Sequence, residues 1–288
     1  MKIGGICLTE RCNLSCVMCH FNGPNIIRKH RTLLPNQVFK FIDGISQNEK
    51  DVYISGLGEP LLDENLNDYI KYVIDKGFVP NLLTNGQLLT VERIDSILKI
   101  GMRKIRISVD SIDENEYNTI RKGGDFNKIL RACSYLKLKK DVYPDIHVEI
   151  NITLLEKSST KEEEYIQFWT NKVDRLNFNA EYFDIFKFRN LHLPPPAIRV
   201  PCEISVYLLP SGQMAPCCAI MVYQHFKDLL WLPHIDETIP EEAYEIFNRM
   251  YHDPTSEFSK ICKNCEWWLL SVPHNSDGIT PYLKTVGL

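Results

Sequence analysis

The feature that most narrows what this chain can fold into is a regular alternation of short Val- and Ile-rich runs with longer segments of helical period. Lys2 to Leu8, Val52 to Ser55, Val79 to Leu83, Lys104 to Val109, Ile146 to Leu154 and Leu176 to Phe183 read as strands. Between them, Asn36 to Ile45, Leu66 to Lys76, Val91 to Ile100, Phe126 to Lys139 and Lys161 to Asn171 carry apolar residues at helical spacing. A helix between successive strands implies that the strands run parallel. Six such strands predict an α/β fold, a partial (β/α)6 TIM-type barrel over residues 1–193, since a full eightfold barrel takes roughly 200 residues or more.

Parity within the strands says what the sheet faces. Lys104, Arg106, Ser108 and Asp110 alternate with Ile105, Ile107 and Val109, and His147, Glu149, Asn151 and Thr153 alternate with Val148, Ile150, Ile152 and Leu154. Leu176 to Phe183 repeats the pattern with Asn177, Asn179 and Glu181. Strands buried on both faces would be nearly all apolar, so one polar face under a helix-covered apolar one points to a wetted, ligand-lined cavity. The same polar residues also suit ion pairs lining a barrel, and a half-exposed antiparallel sheet would give the same alternation.

At Leu193-Pro194-Pro195-Pro196 the pattern stops, because this run continues neither a helix nor a central strand. A boundary there leaves residues 194–288 as a small α+β domain that holds five of the ten Cys and lacks the strand-helix rhythm, as expected where a metal centre supports a thin core. With 33 basic and 37 acidic residues the net charge is -4, so the chain has no global electrostatic attraction for a nucleic-acid backbone. No run is long enough to span a membrane, and the apolar start is too short for a signal peptide, so a cytoplasmic protein is expected. In a reducing compartment clustered thiols more often hold metal or do chemistry than form disulfides.

Cys12, Cys16 and Cys19 follow the first strand with the spacing C-x3-C-x2-C. Three thiolates on a [4Fe-4S] cluster leave one iron open to a small molecule, whereas a structural site normally closes with four ligands. The three thiols with His20 would also make a zinc site. Other groups fall at the same ends of strands: Gly56-Leu57-Gly58-Glu59-Pro60 after the second, Thr84-Asn85-Gly86 after the third, Ser108 and Asp110 at the end of the fourth, Asn151 and Thr153 late in the fifth. That end is where barrel enzymes assemble their sites.

The cysteine motif and these companions resemble the radical S-adenosylmethionine (SAM) superfamily. The resemblance implies a [4Fe-4S] cluster whose open iron binds SAM, and an electron that cleaves it to methionine and a 5′-deoxyadenosyl radical. A flavodoxin- or ferredoxin-type donor would supply that electron. Leu57-Gly58-Glu59 resembles the Gly-Gly-Glu stretch that contacts the SAM amino group largely through backbone, with Leu57 in place of its first glycine. Ser108 resembles the serine near the SAM carboxylate, with Arg121 a second candidate there, and Asn151 resembles the fifth-strand polar residue near the ribose. Thr84 joins this cofactor-binding set by position, and Met18 stands where an aromatic residue often lies near the adenine.

Cys202, Cys217, Cys262 and Cys265 form a second set. Pro210-Ser211-Gly212-Gln213 is a hairpin turn signal that would return Cys202 and Cys217 towards each other, and Cys262-Lys263-Asn264-Cys265 supplies two adjacent ligands. Four thiolates suit zinc or iron-sulfur alike. The C-x9-G-x4-C pattern resembles the start of SPASM and twitch auxiliary domains, and the cysteine count implies a twitch-like unit with one auxiliary [4Fe-4S] cluster. Cys218, next to a ligand, is either a bystander or a hydrogen-atom donor to a substrate radical, as in an epimerase. Cys7 and Cys133 read as small core residues.

The reaction expected is hydrogen abstraction from an unactivated C–H bond, ending in dehydrogenation or epimerisation of a small polar, amino-sugar- or cyclitol-like substrate. Because the first strand begins at residue 2, a peptide substrate would need a separate protein to recognise its leader. Radical modification of a ribosomally made peptide is the alternative, and a non-catalytic iron-sulfur or zinc protein the remaining one.

Overall fold

The computed structural model describes residues 2–22, 29–155, 160–180, 204–217, 229–263 and 283–287. Six strands, β1 (Lys2–Cys7), β2 (Asp51–Ser55), β3 (Val79–Thr84), β4 (Lys104–Ser108), β5 (His147–Leu154) and β6 (Arg175–Ala180), pair in parallel in sequence order. The helices α1 (Pro35–Asp43), α2 (Leu66–Asp75), α3 (Val91–Ile100), α4 (Glu114–Ile120), α5 (Phe126–Lys139) and α6 (Glu162–Trp169) occupy the crossovers. Sequential parallel neighbours with helical returns are the arrangement of an opened (β/α) barrel, as the alternation predicts. The seven-residue α4 is the helix of this part that periodicity alone does not reveal, since it spans barely two turns.

Each strand sends its apolar parity to the helices. Ile105, Ile107, Val148, Ile150 and Ile152 are buried together with Ile129, Leu136, Tyr165 and Trp169. Helix ends follow their sequence signals: Thr90 Oγ1 accepts from Arg93 N at 3.2 Å to open α3, and Asp125 Oδ1 accepts from Asn127 N at 2.8 Å to open α5.

The polar parity has two fates along its length. Towards the strand starts it is filled by ion pairs: Lys104 with Asp51 at 2.7 Å, Arg106 with Glu149 at 2.6 Å, and Glu149 also with His147 and Arg175 and accepting from Asn177 Nδ2. Towards the strand ends Ser108 and Thr153 border a cavity. Lys104, Arg106 and Glu149 are therefore barrel-lining ion pairs and take no part in that cavity. Glu181 lies outside the described residues.

Residues beyond 203 extend the same sheet. β7 (Ser205–Leu208) pairs in parallel with β1, β8 (Met214–Ala215) turns back on β7, and β9 (Leu283–Gly287) runs antiparallel along β6. The order is β8-β7-β1-β2-β3-β4-β5-β6-β9, so both free edges of the six-stranded core are covered. The expected Ser211-Gly212 hairpin is present, with Gly212 at φ +82°. Two helices that the sequence reading lacked, α7 (Pro240–His252) and α8 (Glu257–Lys263), pack together through Phe247 and Phe258. The junction with α1 is tight: a Cβ on Gly44 would lie 2.4 Å from Pro240 Cδ, and Lys40 Nζ donates to the Asp236 carbonyl at 2.7 Å. The Pro194 to Pro196 run lies outside the described residues.

Candidate active site

The loop that carries Cys12, Cys16 and Cys19 is held on three sides by backbone. As the chain leaves β1, Leu8 N–H donates to Ser55 O at 3.0 Å, Gly58 N–H to Thr9 O at 2.9 Å and Glu59 N–H to Arg11 O at 2.8 Å. The loop after β2 is thus zipped onto the residues leading to Cys12. Gly58 has no substitute there, because a Cβ would sit 1.9 Å from the Arg11 carbonyl oxygen. On the opposite side Glu10, buried, accepts from Arg31 Nε at 2.8 Å and from Arg31 N at 3.2 Å. Further on, Ser15 N–H donates to Lys122 O and Val17 N–H to Ile120 O, both at 2.9 Å, which ties the loop to the end of α4.

These ties bring the three thiols to the wall of a cavity of about 340 Å³ at the C-terminal ends of the strands. Met18, Leu57, Gly58, Glu59, Thr84, Ser108 and Arg121 line the same cavity. Asn151 does not. It pairs with Ser108 in the β4–β5 register, and its carbonyl accepts from Val109 N at 2.8 Å, whereas Thr153, two residues along the same face, reaches the wall. Phe21, Asn22 and Ser55 also line it without having been singled out from sequence, because a single turn and the last residue of a strand carry no periodic signature.

Glu59 is 1% exposed and its carboxylate is spent on the protein. Oε1 accepts from Thr84 Oγ1 at 2.6 Å and Leu61 N at 3.1 Å, and Oε2 accepts from Asn85 N at 2.7 Å. Burial raises its pKa against these donors. Glu59 therefore acts as a strut that fixes the ends of β2 and β3 to each other, which explains why a carboxylate stands beside Gly58 without facing the cavity with a free oxygen.

Arg121 comes from the C-terminal end of α4 and is 8% exposed at its side chain. Its Nη2 lies 2.6 Å from Asp110 Oδ2, while its Nε is buried with no hydrogen-bond partner among the described residues. Asp110 Oδ1 accepts from Thr153 N at 2.8 Å, so one carboxylate joins the cation to the end of β5. Burial pushes the Cys16 thiol up to about 11, with the Arg121 guanidinium the largest influence holding it down. A polynuclear iron centre needs thiolates on a shared wall and donors that offset their negative charge. The three thiols and Arg121 provide both, and a buried cation with an unused N–H suits a carboxylate ligand such as that of SAM.

Of the second cysteine set, Cys217 follows β8 and Cys262 lies in α8, both partly buried against the core. Cys202, Cys218 and Cys265 lie outside the described residues. Cys7 and Cys133 are buried in the core as expected, and burial raises their pKa to about 11 and about 12 respectively. Among the described residues no helix is long and apolar enough to cross a membrane.

Gly58→Ala is expected to destabilise the protein by roughly 1–3 kcal/mol through overpacking against Arg11, and to lower the iron bound per chain. Denaturant titration and iron analysis read the two effects; wild-type values in both would show that the close approach is dispensable.

Residues 6–169, more than half of the chain, match the Radical SAM superfamily. Among curated proteins, the GTP 3′,8-cyclase of Clostridium botulinum is 25% identical over 130 residues, 44% of this chain and 40% of that protein. The chain thus spans between 40% and 61% of the length of the curated relatives it matches. The fold is similar to that of Streptococcus suis SuiB, solved bound to S-adenosylmethionine, at a TM-score of 0.62 and 16% identity over 83% of this chain and 64% of that one. It is also similar to BtrN, solved in complex with AdoMet and 2-DOIA, at a TM-score of 0.52 and 12% identity over 94% of this chain and 90% of that one. The matched family and the cysteine-lined cavity lead to one conclusion: this chain belongs to the radical SAM superfamily, enzymes that bind a [4Fe-4S] cluster and S-adenosylmethionine.

Proposed function

We propose that the enzyme abstracts hydrogen from an unactivated C–H bond of a small polar substrate and completes a dehydrogenation or an epimerisation. The observation that carries this reading is the convergence of Cys12, Cys16 and Cys19 with the Gly58 backbone, Ser108 and Arg121 on one cavity. The bound cluster supplies the electron that cleaves SAM to methionine and a 5′-deoxyadenosyl radical. Cys12, Cys16 and Cys19 are its ligands in this proposal. The backbone around Leu57 and Gly58 receives the SAM amino group, Arg121 and Ser108 hold its carboxylate, and Met18 packs on the adenine. Thr84, whose hydroxyl is given to Glu59, shapes the floor between them. Asn151, off the cavity wall, keeps a role near the ribose only if that group reaches the β4–β5 register, and Thr153 is the nearer candidate.

Residues 194–288 are proposed as a twitch-like auxiliary unit in which Cys202, Cys217, Cys262 and Cys265 hold a second [4Fe-4S] cluster. The hairpin that sets Cys217 just beyond β8 supports it. A one-electron acceptor close to the substrate suits dehydrogenation, whereas hydrogen return from Cys218 suits epimerisation. The external electron donor is proposed to be of flavodoxin or ferredoxin type. Modification of a ribosomally made peptide is a second reading, favoured by the likeness to SuiB, which has also been solved with its precursor peptide SuiA.

Anaerobic reconstitution followed by iron, sulfide and zinc analysis tests the assignment. Two clusters in the wild type should fall to one in the Cys12/Cys16/Cys19→Ala variant. Zinc in the remaining set would leave no auxiliary relay, and protein without iron would remove the proposal. In the reconstituted enzyme Arg121→Gln is expected to weaken SAM binding by about tenfold or more, as for a lost hydrogen bond to a charged group; unchanged binding in equilibrium dialysis would assign the carboxylate elsewhere. Substrates are to be screened by deoxyadenosine release. With one in hand, Cys218→Ala should abolish inversion while deoxyadenosine is still formed, and an inverted product from that variant would exclude the thiol.

A further inference from the structure

We infer that Asn85 raises the reduction potential of the cluster by donating a side-chain N–H to the Cys12 sulfur. The inference rests on the assignment of Cys12 as a cluster ligand and adds a residue that acts through it. Asn85 follows β3 and its neighbours determine which way its amide faces. Oδ1 accepts from Gln87 N at 3.0 Å, closing a turn across residues 85–87, so the oxygen is committed to that side. Nδ2 must then face the cysteine loop, where it lies 2.8 Å from Asn13 Oδ1 and 3.8 Å from Cys12 Sγ. The two amide hydrogens thus face two acceptors, Asn13 Oδ1 and Cys12 Sγ. Leu14 N–H, 3.4 Å from the same sulfur, adds a second donor from within the loop.

The turn is held from below by Glu59, which accepts the Asn85 backbone N–H at 2.7 Å and the Thr84 hydroxyl at 2.6 Å. Asn85 is 8% exposed, so its dipole acts where water screens little. Taking up one electron from an external one-electron reductant makes the thiolate-ligated cluster more negative by one charge and breaks no bond. An N–H donor directed at a ligating sulfur stabilises that more negative state, and hydrogen bonds to the sulfurs are among the factors that set cluster potentials. Asn85 also borders the cavity, and on this argument it is a positioning residue whose effect passes through Cys12.

Potentiometric titration monitored by EPR on reconstituted protein tests this directly. Asn85→Asp preserves an acceptor for Gln87 N and replaces the donor by a charged oxygen, whereas Asn85→Ala removes the donor without adding charge. With iron content equal to wild type, the reduction equilibrium of Asn85→Ala is expected to become roughly tenfold less favourable, about 59 mV more negative for one electron, and that of Asn85→Asp lower still. Unchanged potentials at full iron loading overturn the inference while leaving the cluster assignment intact. Wild-type protein that holds no cluster overturns both. A readout that needs no substitution uses wild-type protein grown on asparagine labelled with ¹⁵N in the side-chain amide. Pulsed EPR of the reduced cluster should then detect a ¹⁵N coupling, and its absence overturns the inference even if a variant fails to load iron.

Discussion

Two backbone hydrogen bonds, Gly58 N–H to Thr9 and Glu59 N–H to Arg11, lock the loop after β2 onto the segment that delivers Cys12, and the rest of the site depends on that contact. The approach is so close that a side-chain carbon at position 58 would overlap the Arg11 carbonyl. With this seam closed, Glu59 is carried beneath the ends of β2 and β3, where its buried carboxylate gathers Thr84 and the Asn85 backbone. Asn85 is in turn aimed at Cys12. A chain of contacts, none longer than an ordinary hydrogen bond until the last one to sulfur, thus runs from Gly58 to the Cys12 thiol.

The opposite wall is built from charge. Arg121 and Asp110 are both buried, and a buried pair draws its value from geometry and from every remaining hydrogen bond being satisfied. Here the accounting is incomplete on the cation, because Arg121 Nε has no partner among the described residues. An unused donor on a buried cation is costly unless something else occupies it. The pair also links separate elements: Asp110 holds the end of β5 through Thr153, and the backbone beside Arg121 holds the cysteine loop through Ser15 and Val17.

The concave face of the sheet divides into two zones along the strands. Near the strand starts, Glu149 gathers Arg106, His147, Asn177 and Arg175, so the polar groups there are occupied with one another. Near the strand ends the same parity positions carry small hydroxyl residues, Ser108 and Thr153, which leave room. The C-terminal strands β7 and β9 close the two edges of this sheet, and the contacts of Pro240 and Lys40 seat α7 on α1. The C-terminal part is thereby joined to the barrel by strand pairing as well as by packing.

Local chemistry explains what could be read without coordinates. The six parallel strands, the helices between them other than α4 and the placing of the cysteine triad after β1 follow from side-chain period and from thiol spacing, both properties of short windows of chain. The Gly58 turn and the Ser211-Gly212 hairpin are legible for the same reason. Strand β9 was not legible, because Leu283–Gly287 owes its existence to the exposed edge of β6, a partner about a hundred positions away. Helices α7 and α8 were missed although Pro240, with Glu241 and Glu242 in the first turn and Arg249 and His252 in the last, marks α7 locally. Parity alone could not separate Asn151 from Thr153, since both lie on one face and only the height of the cavity along the strand distinguishes them. The sequence by itself determined the α/β class and the placing of the cysteine triad beside the other strand-end groups. Tertiary structure decided that Glu59 is a strut, that Lys104 pairs with Asp51 and Arg106 with Glu149, and that Asn85 reaches Cys12, because each of these depends on which distant groups compete for the same donors and acceptors.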